Sequence, residues 1–228
     1  MTDNRLPGLV DPRVESAAKI WLAGGINPTV CPAAYISKGV KSFSESKINL
    51  ASPGTYDLTN GINAPTWDTS IGWYFNTTSC YLQSSLPVNL KPATYIVRLK
   101  VDSLSSTHNL IGASGESSMS LQVNVTTGYL ELDRLNAELI ARSTTGISAA
   151  TDCVVAVSYS ADGVYAFYIN GTLINTGTND KSFTLRTLWI GTQFAGNQTY
   201  GHIMGSFFYN TALTSEQVTA VSAAMAKL

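Results

Sequence analysis

The residues of this chain whose types and spacing suggest chemistry lie in the stretch YLELDRLNAE, residues 129–138. In an extended strand, Glu131 and Asp133 point to the same side, with their backbones about 6.6 Å apart. Glycoside hydrolysis uses such a pair, because one carboxyl protonates the leaving oxygen while the other acts as base or nucleophile. An inverting pair is separated by about 6.5–9.5 Å. Glycoside hydrolysis is therefore the first enzymatic hypothesis.

The same stretch also has the pattern of a half-buried strand. From residue 129 to 133, leucines alternate with polar residues, so the two kinds take opposite faces. Glu138 is the next carboxylate, but it would lie roughly 23 Å from Glu131 on a continuous strand, or on the following strand if the chain turns near Asn136. We therefore interpret Glu131 and Asp133 as the solvated face of a strand and predict a protein without enzymatic activity.

Other catalytic sets are not supported by the sequence. It contains no Gly-x-Ser-x-Gly motif and no glycine-rich loop with the lysine of a phosphate site. Its histidines are His108 and His202, and the second falls in an apolar strand, where we expect packing or hydrogen bonding. Cys31, Cys80 and Cys153 lack metal-ligand spacing and cannot all pair internally, so we predict structural thiols. Spacing leaves a cysteine–histidine pair open, although Cys153 begins an apolar strand, which favours a buried thiol.

The composition restricts the class of protein. Of the 228 residues only 13% are charged, and the formal net charge is −1. Lysine and arginine are scattered, whereas nucleic-acid binding needs a basic stripe, so we expect no nucleic-acid partner. No apolar run reaches the roughly 18 residues of a membrane span, and the first residues lack the pattern of a secretory signal. We expect synthesis in the cytoplasm without a signal peptide.

Short β-prone segments recur between turn signals from Trp67 onward, which is typical of a sandwich or barrel. Asn170-Gly171 predicts a two-residue hairpin turn, and 126–128 predicts a second hairpin. Thr214 to Gln217 has the sequence of a capping box and predicts a short C-terminal helix. We predict strands near 72–75, 79–83, 94–101, 109–112, 119–125, 129–134, 138–142, 153–160, 164–169, 182–191 and 202–209.

The N-terminal part of the chain is interrupted by proline and glycine. We interpret residues 1–25 as an arm or linker that docks to other proteins, and 26–228 as one domain. Dense turn signals between 23 and 63 predict a segment that wraps the core rather than builds it.

Several motifs occur together in a shared order: GWYFNTTSCYLQ, TYIVRLKV, YING, LWIGT and GHIMGSFFYNTALTSEQV. In this order they resemble the laminin G-like group of concanavalin A-like lectin domains, over about residues 66–228. The resemblance implies an all-β fold, an antiparallel β-sandwich jelly roll with a short C-terminal helix. The segment 21–57 is similar to the start of stand-alone proteins of this kind from bacteriophage and environmental sequences.

The resemblance also bears on chemistry. Glucanases of this fold carry a Glu-x-Asp-x-x-Glu strand, and Asn136 stands here in place of the second glutamate. Laminin G-like domains often bind calcium through aspartates at the rim of the sandwich. Asp102, Asp152, Asp162 and Asp180 fall in predicted loops without forming a clustered set, and turn formation explains each of them. We therefore expect no cofactor, with calcium as the one metal that the resemblance implies.

A carbohydrate site has the better physical basis. Sugars present apolar C–H faces and hydroxyl rims, so a site needs an exposed aromatic ring beside amide or carboxylate groups. The segment 188–201 offers both kinds of residue, and its alternation points Trp189 away from the core. The alternative is that its aromatic residues cover the second sheet or a neighbouring subunit. The predicted site residues are Trp189, Gln193, Phe194, Asn197 and Tyr200.

These observations favour a non-enzymatic binding or display module. The resemblance to phage proteins suggests a virion surface component, such as a fibre, decoration or adhesion protein, that contacts host glycans. One alternative is a structural virion protein with protein contacts only, and another is a glycan-cleaving enzyme. A closed homo-oligomer suits a virion protein, but no heptad or repeat in the sequence sets the copy number.

Overall fold

Two antiparallel sheets face each other in the computed structural model, which describes residues 19–77, 79–88, 91–113, 119–134, 138–192 and 200–228. The strands are β1 (Ala33–Ile36), β2 (Thr59–Asn60), β3 (Thr66–Asp68), β4 (Gly72–Phe75), β5 (Leu82–Val88), β6 (Ala93–Val101), β7 (His108–Ala113), β8 (Met119–Val123), β9 (Tyr129–Arg134), β10 (Glu138–Gly146), β11 (Cys153–Tyr159), β12 (Val164–Ile169), β13 (Thr172–Thr178), β14 (Arg186–Ile190) and β15 (Gly201–Tyr209). Short 3₁₀ helices span Ile20–Leu22 and Pro28–Val30, and the α-helices are α1 (Phe43–Ser46) and α2 (Ser215–Met225).

The strand order defines the two layers. The eight-stranded sheet has the order β13-β12-β11-β6-β15-β4-β3, with β1 also paired to β15. The seven-stranded sheet has the order β10-β9-β8-β7-β14-β5-β2. This arrangement, followed by one C-terminal helix, confirms the predicted all-β sandwich.

Local sequence signals form the turns and the helix as predicted. Asn170 and Gly171 have φ angles of 51° and 77°, the positive values that a two-residue hairpin between β12 and β13 requires. The capping box is complete, because Thr214 accepts from the Gln217 backbone while the Gln217 side chain accepts from the Thr214 backbone. Val218, Val221 and Met225 lie on the buried face of α2.

The expectation that residues 23–63 only wrap the core is wrong for β1. All four residues of this strand are buried, and it pairs with β15 along its whole length. On the other side of β1, the Asn49 side chain accepts from Ala34 N and donates to Pro32 O, at 3.0 and 2.9 Å. A buried amide therefore takes the place of a neighbouring strand, which lets a strand form between turn signals.

The main core lies between the sheets. Inward side chains of both layers fill it, and Trp73 is fully buried there, whereas Trp67 packs against it only partly buried. Trp73 also donates from Nε1 to Ser46 Oγ at 2.8 Å, which fixes α1 against β4. The sandwich thus follows from alternation within each strand.

A second apolar cluster covers the outer face of the eight-stranded sheet. Helix α2 and the 3₁₀ helix Ile20–Leu22 pack there, and Trp21 meets Phe207 edge-to-face at 6.2 Å. Residues 1–18 of the predicted arm, 1–25, lie outside the described residues. The rest of the arm contributes Ile20 to Ala23 to this packed layer. Arg98 of β6 donates to the carbonyls of Met225 and Leu228 and so holds the end of α2 to the sheet. Among the described residues, no helix has both the length and the apolar character to cross a membrane.

Candidate functional site

The outer face of the seven-stranded sheet carries a line of side chains that crosses all of its strands, here called the cross-sheet row. From edge to edge it consists of Leu139, Asp133, Ser120, Gly112, Trp189, Gln83 and Thr59. Gly112 and Ser120 are neighbours because Ile111 pairs with Leu121 beside them. Asp133 and Trp189 lie three strand spacings apart, about 14 Å. The two residues between them, Gly112 and Ser120, are small and buried, and they form a floor between a carboxylate and an indole.

Glu131 lies beside this row and is buried, with 4% of its surface exposed. Arg142 Nε donates to its Oε1 at 2.7 Å, Gln122 Nε2 donates to its Oε2 at 3.1 Å, and Asn124 donates to both oxygens at 3.1 Å. The predicted alternation is confirmed, since Leu130 and Leu132 face the core. The prediction that Glu131 is solvated is wrong. Polar groups on the strands either side of it exclude water and replace it as hydrogen-bond donors.

Asp133 differs from Glu131 in its contacts. Its Oδ2 accepts a hydrogen bond from Gln122, whereas its Oδ1 is buried and has no partner. Burial and, as a smaller cause, nearby Glu131 raise the pKa of Asp133 to about 7, and Arg142 opposes both effects. Asp133 therefore has one acceptor oxygen that lacks a donor, and its charge changes near neutral pH.

The carboxylate groups of Glu131 and Asp133 are closer to each other than the spacing of their backbones along the strand requires. One amide nitrogen, Gln122 Nε2, donates to both, so their nearest oxygens are less than two hydrogen-bond lengths apart. That spacing is nearer to the about 5–5.5 Å of a retaining glycosidase than to the longer distance of an inverting one. Glu138 lies on the next strand, opposite Arg134, and is bound to Arg134 and Lys181. It does not face Glu131, and Asn136 lies outside the described residues.

An aromatic pair forms the other half of the site. Trp189 stacks on Tyr81 with ring centroids 4.7 Å apart and an interplanar angle of 27°. Both rings are partly exposed, and Gln83 lies next to Trp189 on β5. Across the other side of Trp189 is Gly112, which has no side chain. The indole therefore borders the small floor of the cross-sheet row.

The structure brings together only part of the predicted sugar site. Gln193, Phe194 and Asn197 lie outside the described residues, and their role stays a prediction. Tyr200 is 37% exposed, and its backbone N–H donates to His108 Nδ1 at 3.0 Å. His108 is four residues from Gly112 along β7, so Tyr200 and Trp189 are roughly 13 Å apart in that direction. Gln122, Asn124 and Arg142, which the sequence did not single out, are closer to the cross-sheet row.

The remaining polar candidates have structural roles. His202 stacks on Tyr74 with centroids 4.4 Å apart, as its predicted packing implies, and burial lowers its pKa. The three cysteines are free and buried, and burial raises the pKa of Cys31 and of Cys153 to about 12, which leaves these thiols protonated and unreactive.

The loop aspartates do not converge on one point. Asp152 binds the guanidinium of Arg98, and Asp162 accepts from the Ser160 hydroxyl within its own turn. Within the described ranges, no group of three histidine, cysteine, aspartate or glutamate residues is arranged to hold a metal ion. Calcium binding stays an untested expectation.

Comparison with known proteins identifies the family. A laminin G model of the concanavalin A-like lectin/glucanases superfamily matches residues 76–219, more than half of the chain. The chain belongs to the concanavalin A-like lectin/glucanase superfamily. The predicted laminin G-like relationship is thereby confirmed. No curated protein matches the sequence.

Solved structures of similar fold include two that are in complex with a sugar. A Trypanosoma rangeli sialidase in complex with sialic acid superposes with a TM-score of 0.63 at 13% identity, covering 92% of this chain but 37% of the sialidase. The binding domain of botulinum neurotoxin serotype D has a TM-score of 0.63 at 16% identity, with 86% and 52% covered. Domain 4 of the arabinanase AbnA from Geobacillus stearothermophilus, in complex with arabinotriose, has a TM-score of 0.56 at 18% identity. That match covers 85% of this superfamily member and 98% of the arabinanase domain.

Proposed function

We propose that this chain is a non-enzymatic carbohydrate-binding module whose sugar lies along the cross-sheet row. The observation that carries the proposal is that Trp189 and Asp133 are both partly exposed on one face of the sheet, at the two ends of the small, buried floor of Gly112 and Ser120. An indole suits the C–H face of a sugar, and placed carboxylate and amide groups suit its hydroxyls.

The polar groups of the site are held in place before a ligand arrives. Ser120 donates to Asn109 Oδ1 at 2.7 Å, and Gln122 is fixed between Glu131 and Asp133. Ser120, Asn109 and Gln122 are all buried, whereas Asp133 and Trp189 keep part of their surface exposed. Because the side chains are already ordered, little conformational entropy is lost when a ligand binds, which favours recognition by a rigid sheet.

The other face of the sandwich is a poorer candidate. Helix α2 and Trp21 cover the centre of the eight-stranded sheet with apolar side chains. The arabinanase domain supports a binding role, since a single domain of similar fold and extent holds arabinotriose. Two further structures of similar fold are the neurotoxin binding domain and the sialidase in complex with sialic acid.

The contacts of Glu131 argue against catalysis. A nucleophile must reach the anomeric carbon, but both Glu131 oxygens are occupied by Arg142, Gln122 and Asn124, and the side chain is buried. Asp133 alone cannot supply the second carboxyl that either glycosidase mechanism needs. Wild type and a Glu131→Ala variant should therefore both show no turnover of a β-glucan. Turnover by wild type that disappears in this variant would establish an enzyme instead.

The setting of this binding module is inferred from the sequence resemblance to phage proteins. In this proposal the module stands on a virion surface, docked through residues 1–25, and contacts host glycans. A structural virion protein with protein contacts only is the competing account. Stable incorporation into particles without glycan binding would favour that account.

The direct test is a glycan array followed by titration, with arabinotriose as the first single compound. Trp189→Ala should weaken binding by about two- to ten-fold or more, because aromatic contacts contribute roughly 0.5–1.5 kcal/mol beyond area burial. Tyr74→Ala is the matched control, since Tyr74 is also a partly exposed ring in a stacked pair, but on the eight-stranded sheet. Binding that is absent, or unchanged in Trp189→Ala, would contradict the proposed site.

A further inference from the structure

We propose that the cross-sheet row selects uncharged sugars and rejects sugars that carry a carboxylate, such as sialic acid. This inference rests on the carbohydrate-binding function proposed above, and it names the class of ligand for that site. It departs from the sialidase of similar fold, whose structure contains sialic acid.

The first argument is the balance of charge on this face. Arg142 lies beside Asp133 on this face, and its guanidinium is bound to Glu131 by Nε at 2.7 Å. The Arg142 side chain is 46% exposed, but its charge is already paired with the buried Glu131 carboxylate, so an anionic ligand would have to compete with Glu131 for it. Asp133 then adds a second carboxylate with no cation bound to it. The ligand at this end of the row meets net negative charge.

The side chains of Arg134 and Lys181 are bound to Glu138 and not to Asp133. Arg134 and Lys181 both bind Glu138, at 3.4 and 2.9 Å. Arg134 follows Asp133 directly in β9, so alternation places its side chain on the opposite face of the sheet. These cations therefore do not offset the charge of Asp133 on the outer face.

The second argument is the missing donor at Asp133. Its Oδ1 is buried and without a partner, which is costly for a polar atom. The Asp133 side chain as a whole is partly exposed, so a rotation that brings this oxygen to the surface would let a sugar hydroxyl donate to it and remove that cost. A sugar carboxylate has no proton to donate near neutral pH, and beside Asp133 it would add repulsion between like charges.

The ionisation of Asp133 gives the selectivity a pH dependence. The groups that act on it are Glu131 from the same strand and Arg142 from β10, together with its burial, and they place its pKa at about 7. The rejection of carboxylated sugars should therefore be weak at pH 5.5 and stronger at pH 8, where Asp133 has lost its proton.

The test uses matched ligands. A glycan array should carry each neutral oligosaccharide beside its sialylated form, and the best pair should then be titrated at pH 5.5 and 8. Wild type should bind the neutral form about ten-fold more tightly at pH 8, which corresponds to one pKa unit of interaction energy. Asp133→Asn should narrow this preference, because it removes the charge while keeping the shape of the side chain. Asp68→Asn, at an exposed position on β3 of the eight-stranded sheet, should leave the preference unchanged.

The outcomes separate this inference from the function on which it rests. Binding of sialylated sugars as tightly as neutral ones, with loss in Trp189→Ala, would overturn the charge selectivity and leave the binding function standing. A preference for neutral sugars that Asp133→Asn does not alter would also overturn it. No binding to any glycan would overturn both proposals.

Discussion

The outer faces of the two sheets are built from opposite chemistry. The eight-stranded sheet presents apolar residues outward, and they are covered by α2 and by Trp21. The seven-stranded sheet presents Gln122, Glu131 and Asp133 outward, and these bind one another across strands. An apolar face must be covered by the protein itself, whereas a hydrogen-bonded polar face can meet a hydrophilic ligand. We therefore expect the first face to contribute mainly to stability, and we propose the second as the binding face.

The largest stability effect should come from the covered face. Trp21→Ala removes a buried ring that packs on Phe207, and large-to-small changes of this kind cost about 3–5 kcal/mol. Urea denaturation monitored by circular dichroism would measure the loss. Ile62→Ala, at a position 76% exposed, is the control and should change stability by no more than about 0.5 kcal/mol. Equal effects of the two variants would show that the N-terminal segment does not form part of the fold.

The second effect concerns the polar anchor of the same face. Arg98→Met should lower the free energy of unfolding by about 3 kcal/mol, because it breaks the pair with Asp152 and frees the carbonyls at the end of α2. Arg186→Met changes an exposed arginine and serves as the control. Melting curves of the two variants would compare them. A loss for Arg98→Met no larger than that of the control would contradict the anchoring role.

Local sequence patterns specify some strands of this fold and not others. Alternation and turn residues were enough to place β4, β9 and β12 with their observed bounds, because hairpins are local. Strand β1 was missed because its partners are β15 and the side chain of Asn49, far along the chain or outside any strand.

The site was harder to predict than the strands. The alternation in β9 correctly turned Glu131 outward, but its burial depends on Gln122 and Arg142 from neighbouring strands. The stack of Trp189 on Tyr81 depends on the pairing of β14 with β5, which no local pattern indicates. Sequence therefore predicted the direction of these side chains, and only the cross-strand register shows which of them meet.

The third prediction concerns the stability contributions of two carboxylates of the polar face, Glu131 and Asp133. Glu131→Gln should destabilise the protein by about 2 kcal/mol, since charge-assisted hydrogen bonds from Arg142 and Asn124 are weakened. Asp133→Asn should instead stabilise it at pH 8. The folded pKa of Asp133 is raised to about 7, so its stabilising protonated form is lost as pH rises through that value.

Denaturation of both variants at pH 5 and pH 8 would measure this difference. The gain from Asp133→Asn should be larger at pH 8 than at pH 5. Destabilisation by Asp133→Asn at pH 8 would contradict the proposed electrostatics of the face.

The smallest expected effect on stability comes from the hydrogen bond that joins Tyr200 to His108, the first residue of β7. His108 Nδ1 accepts from Tyr200 N, and burial lowers the pKa of His108. Its contribution is present above the ordinary histidine pKa of about 6.5 and is lost as pH falls through the lower folded value. The loss should be about 1 kcal/mol, the net worth of one hydrogen bond. Denaturation of wild type and His108→Gln between pH 7 and 5 would measure it, and parallel pH profiles would contradict it.

The most direct measurement of the assigned binding face is the response of the tryptophan indole N–H signals in NMR spectra during titration with a neutral oligosaccharide. The chain has 4 tryptophans, and they report on different regions. Trp189 lies on the cross-sheet row, Trp21 lies in the covered layer and Trp73 lies in the core. The account predicts a saturable shift of the Trp189 signal, assigned through Trp189→Phe, while the signals of Trp21 and Trp73 stay in place. Shifts at Trp21 with an unchanged Trp189 would place the sugar on the wrong face and contradict the account.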